Sequence, residues 1–219
     1  MNIKGEGGVL VVSPHCDDAE FGCGGTIAKY TKNKVPVTVI IVAVGREADD
    51  GLSRINEFKA SMGVLGVTST GILFPGYDAR LNEVPSWKLV GAIERAISEY
   101  NTEKLFIPLP SFHQDHKVVW DASLAAVRPN KVYPHLTDVL GYEYPLTVWG
   151  DGAQYQSGGL YYRIDDTMRL KMKALQQYKS QMSKDGMLSL RSVRALAARR
   201  GAEAFTKYAE FFHVLRKII

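Results

Sequence analysis

Apolar runs alternate with amphipathic stretches through the first half of the chain. Val9 to Ser13 is apolar and mostly β-branched, Phe21 to Lys32 carries a helical pattern, and "VPVTVIIVAV" (Val35 to Val44) has the near-continuous apolar character of a strand covered on both faces. Arg54 to Leu65 has helical spacing, and Gly66 stands where a C′ glycine stops a helix. Gly71 to Phe74 predicts a short strand. Trp87 to Tyr100 predicts an amphipathic helix with Leu89, Ile93 and Ile97 on one face, and Lys104 to Pro108 a further buried strand. Regular alternation of strand and helix implies a parallel sheet with helices on both faces, so the expected fold is α/β: a Rossmann-like three-layer sandwich with a mostly parallel sheet. Its ligands are expected at the carboxyl ends of the strands. Beyond Pro129 the pattern loosens into "VYPHL" and "YEYPLTVWGDGAQYQSGGLYY", where strands and loops are expected rather than a new domain. Arg169 to Met182 and Ser192 to Phe211 read as helices that close the chain against the sheet, and there is no internal repeat or low-complexity tract.

A chain of 219 residues with 46% hydrophobic positions can bury a substantial core, and one domain over residues 1–219 is expected. The net charge of +4, from 27 basic and 23 acidic residues, is too small to mark a nucleic-acid binder. Between Arg191 and Lys207, however, Arg191, Arg194, Arg199, Arg200 and Lys207 face the single acid Glu203. That is either an anion-attracting surface or, as expected here, a solvated helix face. The two cysteines, Cys16 and Cys23, do not form a disulfide framework and fit a reduced compartment. The first residues lack an apolar signal core, and no apolar run approaches the roughly 18 residues of a membrane span, so a cytoplasmic protein is expected.

The chemistry sits where two strands end. "SPHCDDAEFGCGG" delivers His15, Asp17 and Asp18 just beyond the first strand, and "FHQDHK" delivers His113 and His116 beyond the strand Lys104 to Pro108. Residues three apart on a helical turn share a face. Imidazole and carboxylate together suit zinc, and also iron, cobalt or manganese; catalytic zinc typically takes three protein ligands. His15, Asp18 and His116 would make such a set. Asp17 and His113 would then stand beside the metal as a base and an oxyanion stabiliser, which is the division hydrolysis needs. Taken singly, an HxDD or an HxxH is as readily a helix cap as a site; two of them beyond strands of one sheet favour the site. Asp17 and Asp18, if extended, point in opposite directions, one toward the metal and one toward the water. The glycines of Cys23 to Gly25 match neither a dinucleotide fingerprint nor a P-loop and are expected to permit close packing of the first helix.

At these residues the sequence resembles the PIG-L/LmbE-like zinc-dependent N-deacetylases of N-acetylglucosamine-type sugars. "SPHCDDAEFGCGG" resembles the family's opening motif and "HQDH" its H-x-D-H, while "RINEF", "YDARL", "ALQQYKSQM" and "YAEFF" give weaker matches along the rest of the chain. The resemblance implies Zn²⁺, or another divalent ion such as Fe²⁺, on His15, Asp18 and His116. It implies Asp17 as general base, His113 at the oxyanion and leaving amine, and Asp115 orienting a histidine. Arg54 and Asp78 match sugar-contacting positions, although Arg54 and Glu57 also read as an i,i+3 surface pair. Glu20 reads either as a carboxylate behind the ligands or as a helix cap. Cys16 stands where the family usually has proline and is expected to pack rather than to ligate. The implied function is deacetylation of a small-molecule N-acetylated sugar or glycoconjugate by a homo-oligomer, with no nucleic-acid partner and no membrane span. The alternatives are a catalytically silent sugar- or nucleotide-binding protein on the same fold, or another metal-dependent hydrolase such as a phosphoesterase.

Overall fold

A computed structural model describes residues 7–45, 48–147, 154–155 and 158–219, with only the backbone described at 48–50. Part of the "VGREADDG" loop and of the 129–162 region therefore lies outside the described residues. The chain runs β1 (Gly8–Ser13), α1 (Asp18–Lys32), β2 (Val37–Val44), α2 (Ala48–Leu65), β3 (Ser69–Pro75), a 3₁₀ turn (Leu81–Glu83), α3 (Ser86–Glu99), β4 (Thr102–Pro108) and α4 (Gln114–Ala126). It continues with β5 (Asp138–Tyr142), β6 (Gly159–Arg163), α5 (Met168–Leu175), α6 (Leu190–Glu203) and β7 (Ala209–Lys217). The strands form one seven-stranded sheet in the order β3-β2-β1-β4-β5-β7-β6. Neighbours from β3 to β5 pair in parallel, whereas β7 runs antiparallel to both β5 and β6.

Both faces of the central strands are covered, which is why they read as unbroken apolar runs. Val9, Val11, Val39, Ile41 and Phe106 pack under α1, α2 and α5 through Ile27, Phe58, Met62 and Ala174, and under Tyr178 of the turn that follows α5. Their alternates Leu10, Val12, Ile40, Val42, Leu105 and Ile107 pack under α3 and α4 through Leu89, Ile93, Ile97, Val119 and Trp120. A third cluster joins Phe21, Tyr144, Ile164, Met168, Met172 and Leu175 to Val193 and Ala197 of α6. This is the expected three-layer α/β sandwich. Gly66 ends α2 with φ +76°, as a C′ glycine does. The glycine run lets α1 lie close to its neighbours: a Cβ on Gly25 would stand 2.8 Å from Ile164 carbons. Among the described residues no helix is long and apolar enough to cross a membrane.

Three expectations are corrected. α5 ends at Leu175, not at Met182, and the following residues turn through Gln177, Tyr178 and Met182. The helix predicted through Phe211 stops at Glu203, where Thr206 N closes onto Gly201 O (2.9 Å), and Ala209 onward is strand β7. Its residues Ala209 to Phe212 are buried on both sides, so no alternation marks them as a strand. The basic stretch is a solvated face at Arg191, Arg194, Arg199 and Lys207, but Arg200 is buried. Its guanidinium forms a bidentate pair with Glu143 (2.7 and 2.6 Å).

Candidate functional site

β1 ends at Ser13, whose hydroxyl donates to His15 O (2.7 Å) and accepts from Ala19 N (3.0 Å), clamping the turn into α1. Within that turn Asp18 Oδ2 accepts from His15 N (3.0 Å) and lies 3.2 Å from His15 Nδ1. Asp17 occupies the N-cap position with φ −114° and ψ −14°, yet its side chain makes no cap bond. The backbone at Asp17 is therefore already helical, not the extended form expected there. Asp17 lines the pocket. Burial and the Asp18 carboxylate push its carboxyl up to about 7. For Asp18 burial opposes ionisation, but His116 and His15 hold its carboxyl far below the usual range.

β4 brings the second cluster to the same edge of the sheet. His113 is the N-cap of α4, and its Nδ1 accepts from Asp115 N (3.2 Å). That bond leaves the ring proton on Nε2, so a neutral His113 is a donor through that atom. Burial and the neighbouring His15 and His116 keep its pKa low. His116, one turn into the helix, places Nε2 3.3 Å from Asp18 Oδ2, and its buried Nδ1 has no hydrogen-bond partner. Asp115 is fully buried and ties three segments together. It accepts from Ala79 N (2.6 Å) and Leu81 N (3.2 Å) and meets His15 Nε2 at 3.0 Å. Among the histidines it is His15 that the Asp115 carboxylate meets, and the other nitrogen of that ring faces Asp18. Burial would lower His15, but Asp115 and Asp18 lift it to about 10.

Arg54 pairs with Asp78 (2.7 Å), and Asp78 Oδ1 lies 3.5 Å from His15 Nε2. Glu57 instead accepts from Ser180 N (3.1 Å) and Oγ (2.6 Å), so the surface pair Arg54–Glu57 is replaced by Arg54–Asp78. Glu20 caps nothing. Buried, it takes hydrogen bonds from Ser61 Oγ (2.6 Å) and Tyr178 OH (2.5 Å), and Tyr178 OH also reaches Cys16 O. Cys16 is buried, and burial with the nearby carboxylates drives its thiol well above the usual range. Seven of the eight site residues predicted from sequence line one pocket of about 420 Å³, and the eighth, Asp115, is buried behind it against His15. Sequence reasoning missed Phe21, Ala79, Tyr144, Gln181 and Leu188, which line the pocket as well.

The donors fit a divalent metal. The 3.2 and 3.3 Å separations of Asp18 Oδ2 from His15 Nδ1 and His116 Nε2 match the edge of a tetrahedron, about 3.3 Å for bonds of about 2.0–2.1 Å. The groups that bring one donor atom per residue within 4.8 Å of one another are His15–His113–His116 and His15–Asp78–Asp115; Asp18 meets His15 and His116 pairwise and is in neither group.

The family model "PIG-L: GlcNAc-PI de-N-acetylase" matches residues 10–127, which include all eight of these residues. An uncharacterized deacetylase of Escherichia coli, YaiS, is 27% identical over 64% of this chain and 75% of its own length. The diacetylchitobiose deacetylase of Thermococcus kodakarensis is 28% identical over 81% of this chain and 71% of its own length. Among solved structures, the zinc-inhibited form of the teicoplanin deacetylase Orf2 superposes with TM-score 0.79 at 19% identity, covering 95% of this chain and 98% of that one. GalB of Pseudomonas putida, a 4-carboxy-2-hydroxymuconate hydratase, superposes with TM-score 0.74 at 15% identity over 97% and 98% of the two chains. The architecture therefore carries more than one chemistry.

Proposed function

The chain belongs to the PIG-L family and is an N-deacetylase; we propose that it removes acetate from a small N-acetylated sugar or glycoconjugate, acting as a single domain over residues 1–219. The observation that carries this reading is that Asp18 Oδ2 lies within 3.2–3.3 Å of both His15 Nδ1 and His116 Nε2, with Asp17 and His113 lining the same pocket. We assign His15, Asp18 and His116 to a divalent metal, zinc first and iron(II) second. Bound there, the metal would supply polarisation of the amide carbonyl and an acidified water. Asp17, not spent on capping its helix, takes the proton of the attacking water. His113, held by Asp115 N as the Nε2–H tautomer, donates to the developing oxyanion and passes a proton to the leaving amine. Arg54 and Asp78, locked to each other at 2.7 Å, offer a donor and an acceptor to the sugar hydroxyls. A silent binding protein would not need this full set of proton-transfer groups.

The test is metal analysis with an amine-release assay on N-acetylglucosamine, its glycosides and nucleotide-linked forms, with zinc and with iron(II). Wild type should hold about one ion per chain and release amine with acetate, and His116→Ala should lose the ion. Full metal occupancy in His116→Ala, or no acetate from any N-acetylated sugar, would overturn the reading.

A further inference from the structure

The site has two unlike ends. Contacts run in one chain from Arg54 through Asp78, His15, Asp18 and His116 to Tyr144: 2.7 Å, 3.5 Å, 3.2 Å and 3.3 Å between polar atoms, then 5.0 Å between the His116 and Tyr144 rings. Beyond Tyr144 stands Phe21, edge-on at 6.2 Å between centroids. One end is ionic and hydrogen-bonding; the other is a wall of two aromatic rings, both buried and both lining the pocket. A hydrolysed amide has the same asymmetry: the sugar hydroxyls lie on its nitrogen side and the acyl tail on its carbonyl side.

The wall is also held firmly. Tyr144 N donates to Thr147 Oγ1 (2.9 Å), and Thr147 N returns to Tyr144 O (2.8 Å). Its neighbour Glu143 is pinned by the buried Arg200, and Tyr142 OH donates to Val12 O (2.9 Å) in β1. These bonds fix the backbone that carries Tyr144, while the ring itself is held by packing against Phe21 and His116. Tyr144 lies outside residues 10–127, the segment that matches the family model.

We infer that Tyr144, backed by Phe21, is the specificity residue that limits the acyl group to acetyl, by occupying the space a longer tail would need beside His116. The inference rests on the proposed deacetylase reading and adds the acyl selectivity to it.

The test measures kcat/KM by amine release for N-acetyl-, N-propionyl- and N-butyryl-glucosamine. In wild type the propionyl compound should fall below the acetyl one by a factor on the order of 10 to 200, as one methylene too many in a closed pocket does. Tyr144→Ala should raise the propionyl-to-acetyl ratio by about tenfold or more, within the same span. Tyr144→Phe, which keeps the ring, should keep the wild-type ratio. Tyr144→Leu, a gentler cavity, should move the ratio the same way as Tyr144→Ala and replaces it if that variant does not fold. Equal kcat/KM for the three acyl groups in wild type would overturn the inference alone, leaving the deacetylase standing. So would an unchanged ratio in a folded, metal-loaded Tyr144→Ala or Tyr144→Leu, or a Tyr144→Phe that shifts the ratio as the truncations do. Absence of amine from every compound with metal bound would overturn both readings.

Discussion

Glu210 holds together a helix that is not continuous. Cys23, inside α1, has φ −138° and ψ 19°, so the helix breaks there. The N–H groups that open the second half, Gly25 and Thr26, donate to the Glu210 carboxylate at 2.9 and 2.7 Å. Lys171 Nζ meets the same carboxylate at 2.6 Å and also reaches Phe21 O, on the other side of the break, at 2.8 Å. Both side chains are at most 4% exposed. Glu210→Ala therefore leaves two helix-start donors and a buried ammonium without their acceptor, and should destabilise by about 3–5 kcal/mol. In Lys171→Met the carboxylate still has its two N–H partners at a helix start, so the loss should be smaller, about 1–3 kcal/mol. The double variant should lose less than the sum of the two, with a coupling of about 0.5–3 kcal/mol. Urea unfolding followed by circular dichroism reads all four proteins, and with a slope of about 2–3 kcal/mol/M the Glu210→Ala midpoint should drop by at least about 1 M. Equal losses for the two single variants, or strict additivity, would refute the account of Glu210 as a cap first and an ion-pair partner second.

Three other outcomes follow from the site and its packing. Asp17→Asn should retain metal while kcat falls by a factor on the order of 10² to 10⁴, whereas Asp18→Asn should bind metal weakly and recover activity in excess metal; metal titration with kinetics would reverse the assignment if the two exchanged behaviour. Cys16→Pro should keep most activity and metal affinity, since the thiol is buried and protonated and its carbonyl is already held by Tyr178; a collapse of metal affinity would make the sulfur a ligand. Gly25→Ala gains up to about 1 kcal/mol of helix propensity but meets Ile164 at 2.8 Å, where overpacking typically costs about 1–3 kcal/mol; a rise in the urea midpoint would show that close packing is not this glycine's purpose.

The parallel half of the fold and both histidine–aspartate clusters at the sheet edge were legible because their signals are local. Buried strands read as apolar runs, and His15, Asp17, Asp18, His113 and His116 follow two of them directly. What escaped depends on distant partners. Ala209 to Phe212 is apolar on both faces apart from Glu210, and only the encounter with Lys171 and the α1 break explains a carboxylate there. Tyr144 sits in a run crowded with aromatics, where periodicity is silent. Its one available signal was position, just past β5 at the strand ends where ligands gather, and β5 is only five residues long. The expectation that Asp17 and Asp18 point in opposite directions assumes an extended backbone, whereas Asp17 is already in helical geometry and both residues line the one pocket.

Strand β7, last in sequence, lies inside the sheet between β5 and β6. During synthesis this arrangement imposes an order of events. Until residues from Ala209 onward leave the ribosome, β5 presents an open edge, β6 lacks its partner and the break in α1 lacks its carboxylate. Nascent chains at that stage expose a row of unpaired strand groups, the kind of surface chaperones shield and aggregates exploit. The helix that carries Asp18 reaches its final form only when the last strand slots in, so an early stop codon anywhere before Ala209 should yield aggregate rather than a shortened enzyme.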